Sequence, residues 1–305
     1  MIKNFEQLLE AAKSQKKMRL VVAVAQDDDV LKAVHEAKKM GLVDPLLVGD
    51  EAQIKSIMAK LGIDSSEYEI VHEADILLAA RKSVELISSA RGDFLMKGIV
   101  QTADIMRAVL DKEIGLRTEN LISHVMVYEA STYEKLMYTT DGGMNVAPNL
   151  EQKVQILENA IKVCKAMGLD RIYAACLAGA ETVNPKIPAT VDAKAIADMK
   201  DKWDSMNVAV DGPVALDLAI SKEACAHKKY NSEVGGNADI LLVPYYEVGN
   251  AMGKALTYFA HAKSAGIIMG AKCPIVLVSR ADTAETKLLS IALGSVVASN
   301  ANNNN

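Results

Sequence analysis

Short runs of apolar residues alternate with amphipathic segments along most of this chain. Arg19–Ala25 has the continuous apolar character of a buried strand, and Asp29–Met40 carries its apolar residues at helical spacing until Gly41. Strands that alternate with helices pair in parallel and are covered by helices on both faces. The pattern therefore predicts an α/β protein with mainly parallel sheets.

The alternation breaks once, near the middle of the chain. Ile122–Tyr128 and Lys135–Thr140 have the pattern of strands, and no helical segment separates them, which predicts a hairpin-like pair. Alternation then resumes, with helices predicted over 151–167 and, after a proline-punctuated loop, over 192–199. Because 305 residues are enough for two domains of about 150 residues each, we place a domain boundary close to this pair.

Composition narrows the classes of function. Half of the residues are hydrophobic, 24% are charged and only 4% are aromatic, with a net charge of −5. Nucleic-acid binding needs a basic face and often stacking rings, so we expect no nucleic-acid partner. We also expect no membrane association, since no apolar run approaches the roughly 20 residues of a span. The four cysteines are widely separated, which predicts neither a metal site nor a disulfide framework and favours the cytoplasm.

Several predicted strands end in polar side chains. The carboxyl ends of parallel strands meet at one edge of a sheet, where the following helices also begin. We therefore expect these strand ends to share a cleft that can bind a ligand. The segments are Phe94–Gly98, Met137–Gly143, Val208–Pro213, Leu241–Glu247 and Val278–Arg280.

Two of these endings also have ordinary structural explanations. Lys97 followed by Gly98 leaves backbone room for a phosphate, but a lysine at a strand end is also often simply solvated. Asp211 opens an Asp-Gly-Pro sequence that, taken alone, favours a turn.

Ordinary explanations also exist on two predicted helices. Asp282 and Glu285 have the spacing of a helix capping box, and the cap is the more common role for Asp282. Arg107 follows Thr102 on a predicted helix, where a surface position is the default.

Ser279 and Arg280 are the hardest pair to explain structurally. An arginine at the end of a buried strand requires an anionic partner. Ser279 lacks the histidine base that a serine nucleophile needs, because the five histidines are scattered, and the chain has no GxSxG, GxGxxG, P-loop or HExxH motif. Ser279 is therefore predicted to donate a hydrogen bond rather than to attack.

Motifs distributed over nearly the whole chain carry a family resemblance. They are Val21–Gln26, Met96–Arg107, Gly115–Thr118, Ser123–Val125, Asn184–Ala193, Val210–Asp217, Ala238–Ile240, Glu247–Asn250 and Ser279–Thr283. Together they are specific, and with them the chain resembles the phosphate acetyl/butyryl transferase family.

The resemblance implies reversible transfer of an acyl group between coenzyme A and inorganic phosphate, which gives an acyl phosphate. It implies two α/β domains that face each other across a cleft, as in the isocitrate-dehydrogenase-like fold. Residues 1–120 and 268–305 would form the first domain, and residues 121–267 the second. It further implies a homo-oligomer, coenzyme A as a substrate with no tightly bound cofactor, and a downstream kinase that uses the acyl phosphate. The Ser-Arg-Ala-Asp-Thr and Val-Asp-Gly-Pro signatures favour an acyl chain of about four carbons, although one methylene is worth only ~1–3 kcal/mol of discrimination.

Roles for the candidate residues follow from that chemistry. Phosphate and the oxyanion of the transition state both need fixed donors, so Arg280 is expected to bind phosphate and Ser279 to donate to the oxyanion or orient the thiol. The thiol of coenzyme A, with a pKa of about 8.5, needs a base to become a nucleophile. We expect direct transfer in a ternary complex, without an acyl-serine. The remaining candidate substrate-binding residues are Lys97, Gly98, Thr102, Arg107, Asp211, Glu247 and Asn250.

The general base stays open between two carboxylates. In the acetyl-transferring members of the family it is an aspartate seven residues after the serine, a position that Thr286 occupies here. Asp282 and Glu285 are the nearby alternatives, with Asp282 preferred. Three other functions compete: a phosphate acetyltransferase, an acyl-CoA sensor that has lost the base, and an NAD-dependent decarboxylating dehydrogenase. The last would need a cluster of metal-binding carboxylates, which the sequence does not suggest.

Overall fold

The computed structural model describes residues 1–279 and 282–303. Its strands are β1 (Met18–Ala23), β2 (Val43–Gly49), β3 (Glu69–His72), β4 (Phe94–Lys97), β5 (Ser123–Glu129), β6 (Met137–Thr140), β7 (Ile172–Leu177), β8 (Val208–Val214), β9 (Ile240–Leu242), β10 (Lys263–Met269) and β11 (Ile275–Val276). Its α-helices are α1 (Phe5–Ser14), α2 (Asp28–Lys39), α3 (Glu51–Lys60), α4 (Ile76–Ser88), α5 (Thr102–Val109), α6 (Leu150–Ala166), α7 (Pro188–Ala197), α8 (Lys200–Ser205), α9 (Leu216–Ile220), α10 (Lys222–Lys228), α11 (Tyr246–Tyr258) and α12 (Ala284–Asn303). A short 3₁₀ helix, Ser65–Glu67, precedes β3.

The chain divides into two compact units, each built from two separate segments. The first unit contains Phe5–Asn120 and Ala265–Asn305, and the second contains Met1–Asn4 and Leu121–Ser264. Ile2 belongs to the second unit because its N–H donates to the Met167 carbonyl at 2.9 Å.

In the first unit, the strand order is β3-β2-β1-β4-β11-β10. The neighbours from β3 to β11 pair in parallel, and only β10 runs antiparallel to its neighbour β11. α12 packs against α1 and α2, and its buried residues include Leu289 and Ile291. The parallel pairing predicted from the alternating pattern is therefore confirmed.

In the second unit, the strand order is β5-β6-β9-β7-β8. β5 and β6 pair antiparallel, as the hairpin-like pattern predicts, and the other neighbours are parallel. α6 starts with a capping box in which Asn149 and Gln152 satisfy each other's backbone N–H groups, and this fixes where the long helix begins.

Two local predictions in this unit are wrong. β8 continues to Val214, straight through the Asp211-Gly212-Pro213 sequence that alone favours a turn. β8 ends the strand order of its unit. Among the described residues it pairs only with β7, so the missing N–H of Pro213 does not interrupt a second ladder. The helix expected from Asp192 begins at Pro188, because proline fits the first helical position, where its missing N–H has no partner to lose.

Candidate functional site

The turn that follows β11 brings two candidate catalytic residues together. The Ser279 N–H donates to Oδ2 of Asp282 at 2.7 Å, and the Asp282 N–H donates to the Ser279 carbonyl at 3.1 Å. Ser279 is exposed and Asp282 is half-buried. A hydroxyl-bearing residue and a carboxylate thus lie side by side in the first unit. Arg280, the expected phosphate ligand, lies outside the described residues.

The helix cap at this turn is a different residue from the one expected. Oγ1 of Thr283 accepts a hydrogen bond from the Thr286 N–H at 3.1 Å, and the Thr283 carbonyl accepts from the Lys287 N–H at 3.1 Å. Thr283 therefore caps α12, and the capping role expected for Asp282 is wrong. The Asp282 carboxylate instead accepts the hydrogen bond from the Ser279 N–H. Glu285 lies exposed in the first turn of α12.

Lys97 ends β4 and is buried, with only 6% of its surface exposed. Its Nζ donates to the carbonyls of Gly98 at 3.1 Å and Val100 at 3.0 Å. A solvated strand end is therefore excluded for this lysine. β4 and β11 are neighbours in register, with Met96 opposite Val276, so Lys97 lies at the end of β4 and Ser279 follows the adjacent strand of the same unit.

Packing alone explains why position 98 is a glycine. A Cβ at this position would lie 2.2 Å from the Val24 carbonyl oxygen and 2.6 Å from the Ala23 carbonyl oxygen. The Gly98 N–H also donates to the Ala23 carbonyl at 2.8 Å. Glycine is thus required here by the close approach of two backbone segments, whether or not a phosphate also binds.

The two candidates on α5 differ in their surroundings. Thr102 is the first residue of the helix and is half-buried. The Arg107 guanidinium pairs with Asp104 at 2.8 Å on the same helix, and 71% of the Arg107 side chain is exposed. Within the first unit, Arg107 therefore has the surface position expected by default.

In the second unit, the end of β6 is held by a buried carboxylate. Asp141 follows β6 directly and is 3% exposed. Its oxygens accept four hydrogen bonds, from the N–H groups of His124 (3.2 Å), Gly143 (2.8 Å) and Met144 (2.9 Å) and from Nδ2 of Asn145 (2.6 Å). The Asp-Gly-Gly segment, which could be only a turn, is therefore a loop organised around a saturated acceptor.

The same loop contacts the start of α11. Nδ2 of Asn250 donates to the Gly142 carbonyl at 3.3 Å and to the Tyr246 hydroxyl at 3.3 Å. A Cβ on Gly142 would lie 2.7 Å from the Gly249 carbonyl carbon, so the two glycines allow loop and helix to touch. Glu247 is exposed in the first turn of α11. Among the predicted residues of this unit, Asn250 is thus the one bonded to the β6 loop.

Asp211 is bonded within β8 and to a tyrosine. Oδ2 of Asp211 accepts the Tyr230 hydroxyl at 2.6 Å, and Oδ1 accepts the Gly212 N–H at 2.8 Å. Burial raises the pKa of Tyr230, and its hydrogen bond to Asp211 raises that pKa further. The phenol therefore stays protonated as the donor, and Asp211 is an acceptor at the edge of the unit.

Two buried lysines escaped prediction from the sequence. Lys287 is 3% exposed and donates from Nζ to the Asp282 carbonyl at 2.5 Å. Lys153 is also 3% exposed, and its Nζ lies 2.7 Å from an Asp192 oxygen and 5.0 Å from the centre of the Tyr245 ring. The sequence feature that could have drawn attention to Lys287 is its position near the start of a helix, where a positive charge interacts unfavourably with the helix dipole.

The four cysteines are buried and free. Burial raises the pKa of Cys176 and of Cys273 to about 12, so at pH 8 only about one thiol in ten thousand at these positions is ionised. We expect 5,5′-dithiobis(2-nitrobenzoate) to label the native protein slowly at pH 8 and to label all four thiols once guanidinium unfolds it. Fast labelling of a native thiol would contradict this prediction.

Among residues 1–279 and 282–303, no group of three or more His, Cys, Asp or Glu side chains is arranged to hold a metal ion. In the same part of the chain, no helix combines the length and the apolar character that crossing a bilayer requires.

Known proteins resemble this chain over almost its whole length. Residues 4–80 and 73–295 match the family model described as phosphate acetyl/butaryl transferase. A phosphate butyryltransferase of Clostridium acetobutylicum is 46% identical over 300 residues, which cover 98% of this chain and all of that protein. A phosphate acetyltransferase of Rhizobium meliloti is 39% identical over 97% of this chain and 93% of its own. The crystal structure of a branched-chain phosphotransacylase from Enterococcus faecalis V583 superposes with a TM-score of 0.82 at 34% identity, covering 92% of this chain and 99% of its own.

Proposed function

Because this chain belongs to the phosphate acetyl/butyryl transferase family, and is therefore an acyltransferase with coenzyme A as a substrate, we propose that butanoyl is the acyl group it transfers to and from inorganic phosphate. The observation that carries the proposal is the 46% identity over all of a phosphate butyryltransferase. Forward transfer forms a bond between a phosphate oxygen and the carbonyl carbon and breaks the carbon–sulfur bond, and the released thiolate then takes a proton. In reverse, the thiol loses that proton and attacks the carbonyl carbon of butanoyl phosphate; the carbon–sulfur bond forms, the bond from that carbon to the phosphate oxygen breaks, and inorganic phosphate leaves.

We assign the chemistry to the turn after β11. In this assignment the Ser279 hydroxyl donates to the oxyanion, and Asp282 is the base that removes the thiol proton in the reverse direction. The hydrogen bond from the Ser279 N–H to Oδ2 of Asp282 supports this assignment, because it keeps the carboxylate next to the serine. Glu285 is the alternative base.

Phosphate binding is assigned to cations at the strand ends. Arg280 is proposed as the bidentate phosphate ligand. Lys97 and Gly98 lie at the end of β4, the strand beside β11, and Thr102 and Arg107 lie on the helix that follows. We therefore keep these four residues as candidate ligands of phosphate or coenzyme A. In the second unit, Asp211, Glu247 and Asn250 are retained as candidate substrate contacts.

The preferred acyl chain can be tested with a series of coenzyme A thioesters. Release of free thiol in the presence of phosphate should be measured with acetyl-, propanoyl-, butanoyl-, isobutanoyl- and hexanoyl-CoA. We expect kcat/KM to be highest for butanoyl-CoA, with each methylene added or removed costing about 10- to 200-fold. A higher kcat/KM for acetyl-CoA would instead support the second candidate, a phosphate acetyltransferase, which the 39% identical Rhizobium meliloti relative favours.

Direct transfer in a ternary complex makes a separate prediction. Without free coenzyme A, the enzyme should not exchange labelled phosphate into butanoyl phosphate, because no acyl-enzyme forms with which the labelled phosphate could react. Mass spectrometry of the enzyme incubated with butanoyl-CoA alone should likewise show an unmodified chain. Exchange, or a butanoyl adduct on Ser279, would overturn direct transfer without affecting the proposed substrate.

Three expectations accompany this proposal. We propose that the protein acts as a homo-oligomer in the cytoplasm and that a kinase consumes the acyl phosphate. The last follows from the chemistry, because a mixed carboxylic–phosphoric anhydride can pass its phosphoryl group to a nucleoside diphosphate.

A further inference from the structure

Lys287 combines two unfavourable features in one position. Its side chain is 3% exposed, so its ammonium has lost nearly all contact with water. It also lies in the first turns of α12, where the positive end of the helix dipole disfavours a cation. A residue whose charge is unfavourable both for burial and for its position on the helix is expected where a function requires it.

The ammonium of Lys287 is directed at the proposed catalytic turn. An ammonium has three donors. Across the described residues, Nζ of Lys287 has one hydrogen-bond acceptor, the Asp282 carbonyl at 2.5 Å, and no carboxylate oxygen within 4.0 Å. Lys153, equally buried in the second unit, instead pairs with the Asp192 carboxylate at 2.7 Å. Ion pairing therefore explains Lys153 but not Lys287.

Asp282 is consequently fixed from two sides. Lys287 holds its backbone carbonyl, while the Ser279 N–H holds its carboxylate. The Asp282 N–H returns to the Ser279 carbonyl and closes the turn. Because these bonds share one residue, loss of the ammonium would free the peptide group that sets where the carboxylate points.

We propose that Lys287 is a positioning residue for acyl transfer, which orients the Asp282 base and the Ser279 donor by holding the Asp282 carbonyl. This inference rests on the proposed function of Ser279 and Asp282. Misplacement of a catalytic group by about 1 Å can cost about 100-fold in rate. The effect should fall on kcat, because Lys287 does not contact substrate in this proposal.

The test is a comparison of Lys287→Met with Lys287→Arg. Methionine keeps the length and apolar stem of lysine but has no donor, and we expect kcat for butanoyl-CoA to fall about 30- to 100-fold with both KM values within about twofold. Arginine keeps the charge and donors in a different shape, and we expect it to recover most of the loss, leaving kcat about 3- to 10-fold below wild type. Unchanged kcat in Lys287→Met would overturn the inference, as would a loss confined to KM.

Stability is controlled by Lys153→Met, which removes an equally buried lysine from the other unit. It should lower the melting temperature but leave the kcat of the folded protein near wild type. If Lys287→Met does not fold, Lys287→Gln takes its place: its side chain is one bond shorter and uncharged, so unchanged kcat in that variant would overturn the positioning role. Asp282→Asn measured in parallel separates the two proposals. If it is fully active, the proposed site fails, whereas an inactive Asp282→Asn beside a fully active Lys287→Met contradicts only the positioning role.

Discussion

Asp282→Asn is expected to lower kcat by about 10²- to 10⁴-fold, the usual contribution of general acid–base catalysis. The substitution is nearly isosteric, and the amide oxygen can still accept the Ser279 N–H that now bonds to Oδ2 at 2.7 Å. The turn should therefore keep its shape while losing its proton acceptor. Steady-state release of coenzyme A from butanoyl-CoA and phosphate measures the loss, and circular dichroism checks the fold.

Glu285→Gln is the matched control for this prediction, because Glu285 lies three residues further on and is exposed in α12. Its kcat should stay within about threefold of wild type, because Asp282 rather than Glu285 is proposed as the base. The reverse result would move the role of base to Glu285. Near-normal turnover in both variants would show that neither carboxylate is the base.

Gly98→Ala is expected to destabilise the protein by about 3 kcal/mol, at the upper end of the usual cost of overpacking. The added Cβ would lie 2.2 Å and 2.6 Å from two backbone carbonyl oxygens, those of Val24 and Ala23. These backbone atoms lie at the ends of two paired strands and cannot rotate away as a side chain can, so the ends of β4 and β1 would have to separate. The midpoint of urea unfolding should fall accordingly.

Gly179→Ala provides the comparison, because a Cβ there would meet no atom within 4 Å and the backbone needs no positive φ. It should change the free energy of unfolding by less than about 0.5 kcal/mol. If Gly98→Ala were as stable as Gly179→Ala but failed to bind phosphate, ligand access rather than packing would be the reason for glycine at position 98.

The periodicity of apolar residues in the sequence was sufficient to predict most of the fold. α2, predicted over Asp29–Met40, is observed over Asp28–Lys39, because Gly41 marks its end in the sequence. The errors lie where position in the sheet outweighs local preference. Asp211–Pro213 has the composition of a turn, yet it continues β8 because an edge strand tolerates proline.

The site was less predictable than the fold. The spacing of Ser279 and Asp282 in the sequence indicates that they lie close together. It does not identify the residue that caps α12, since Asp282 and Thr283 are adjacent and both are suitable cap residues. Only the three-dimensional contacts show that Thr283 accepts the Thr286 N–H, while the Asp282 carboxylate accepts the Ser279 N–H. The burial of Lys287 was hidden for a similar reason, because lysine in a helical pattern normally predicts a solvated face.

The interrupted course of the first unit has a consequence for how the chain folds during synthesis. Residues 121–264 leave the ribosome as a nearly complete second unit, whereas β4 of the first unit must wait for β11, made some 180 residues later, before its second edge is paired. Until then, the apolar strands translated first have an open edge that other chains can join. The unit that is translated first is therefore completed last, and nascent chains halted before Ile275 are expected to depend most on chaperones.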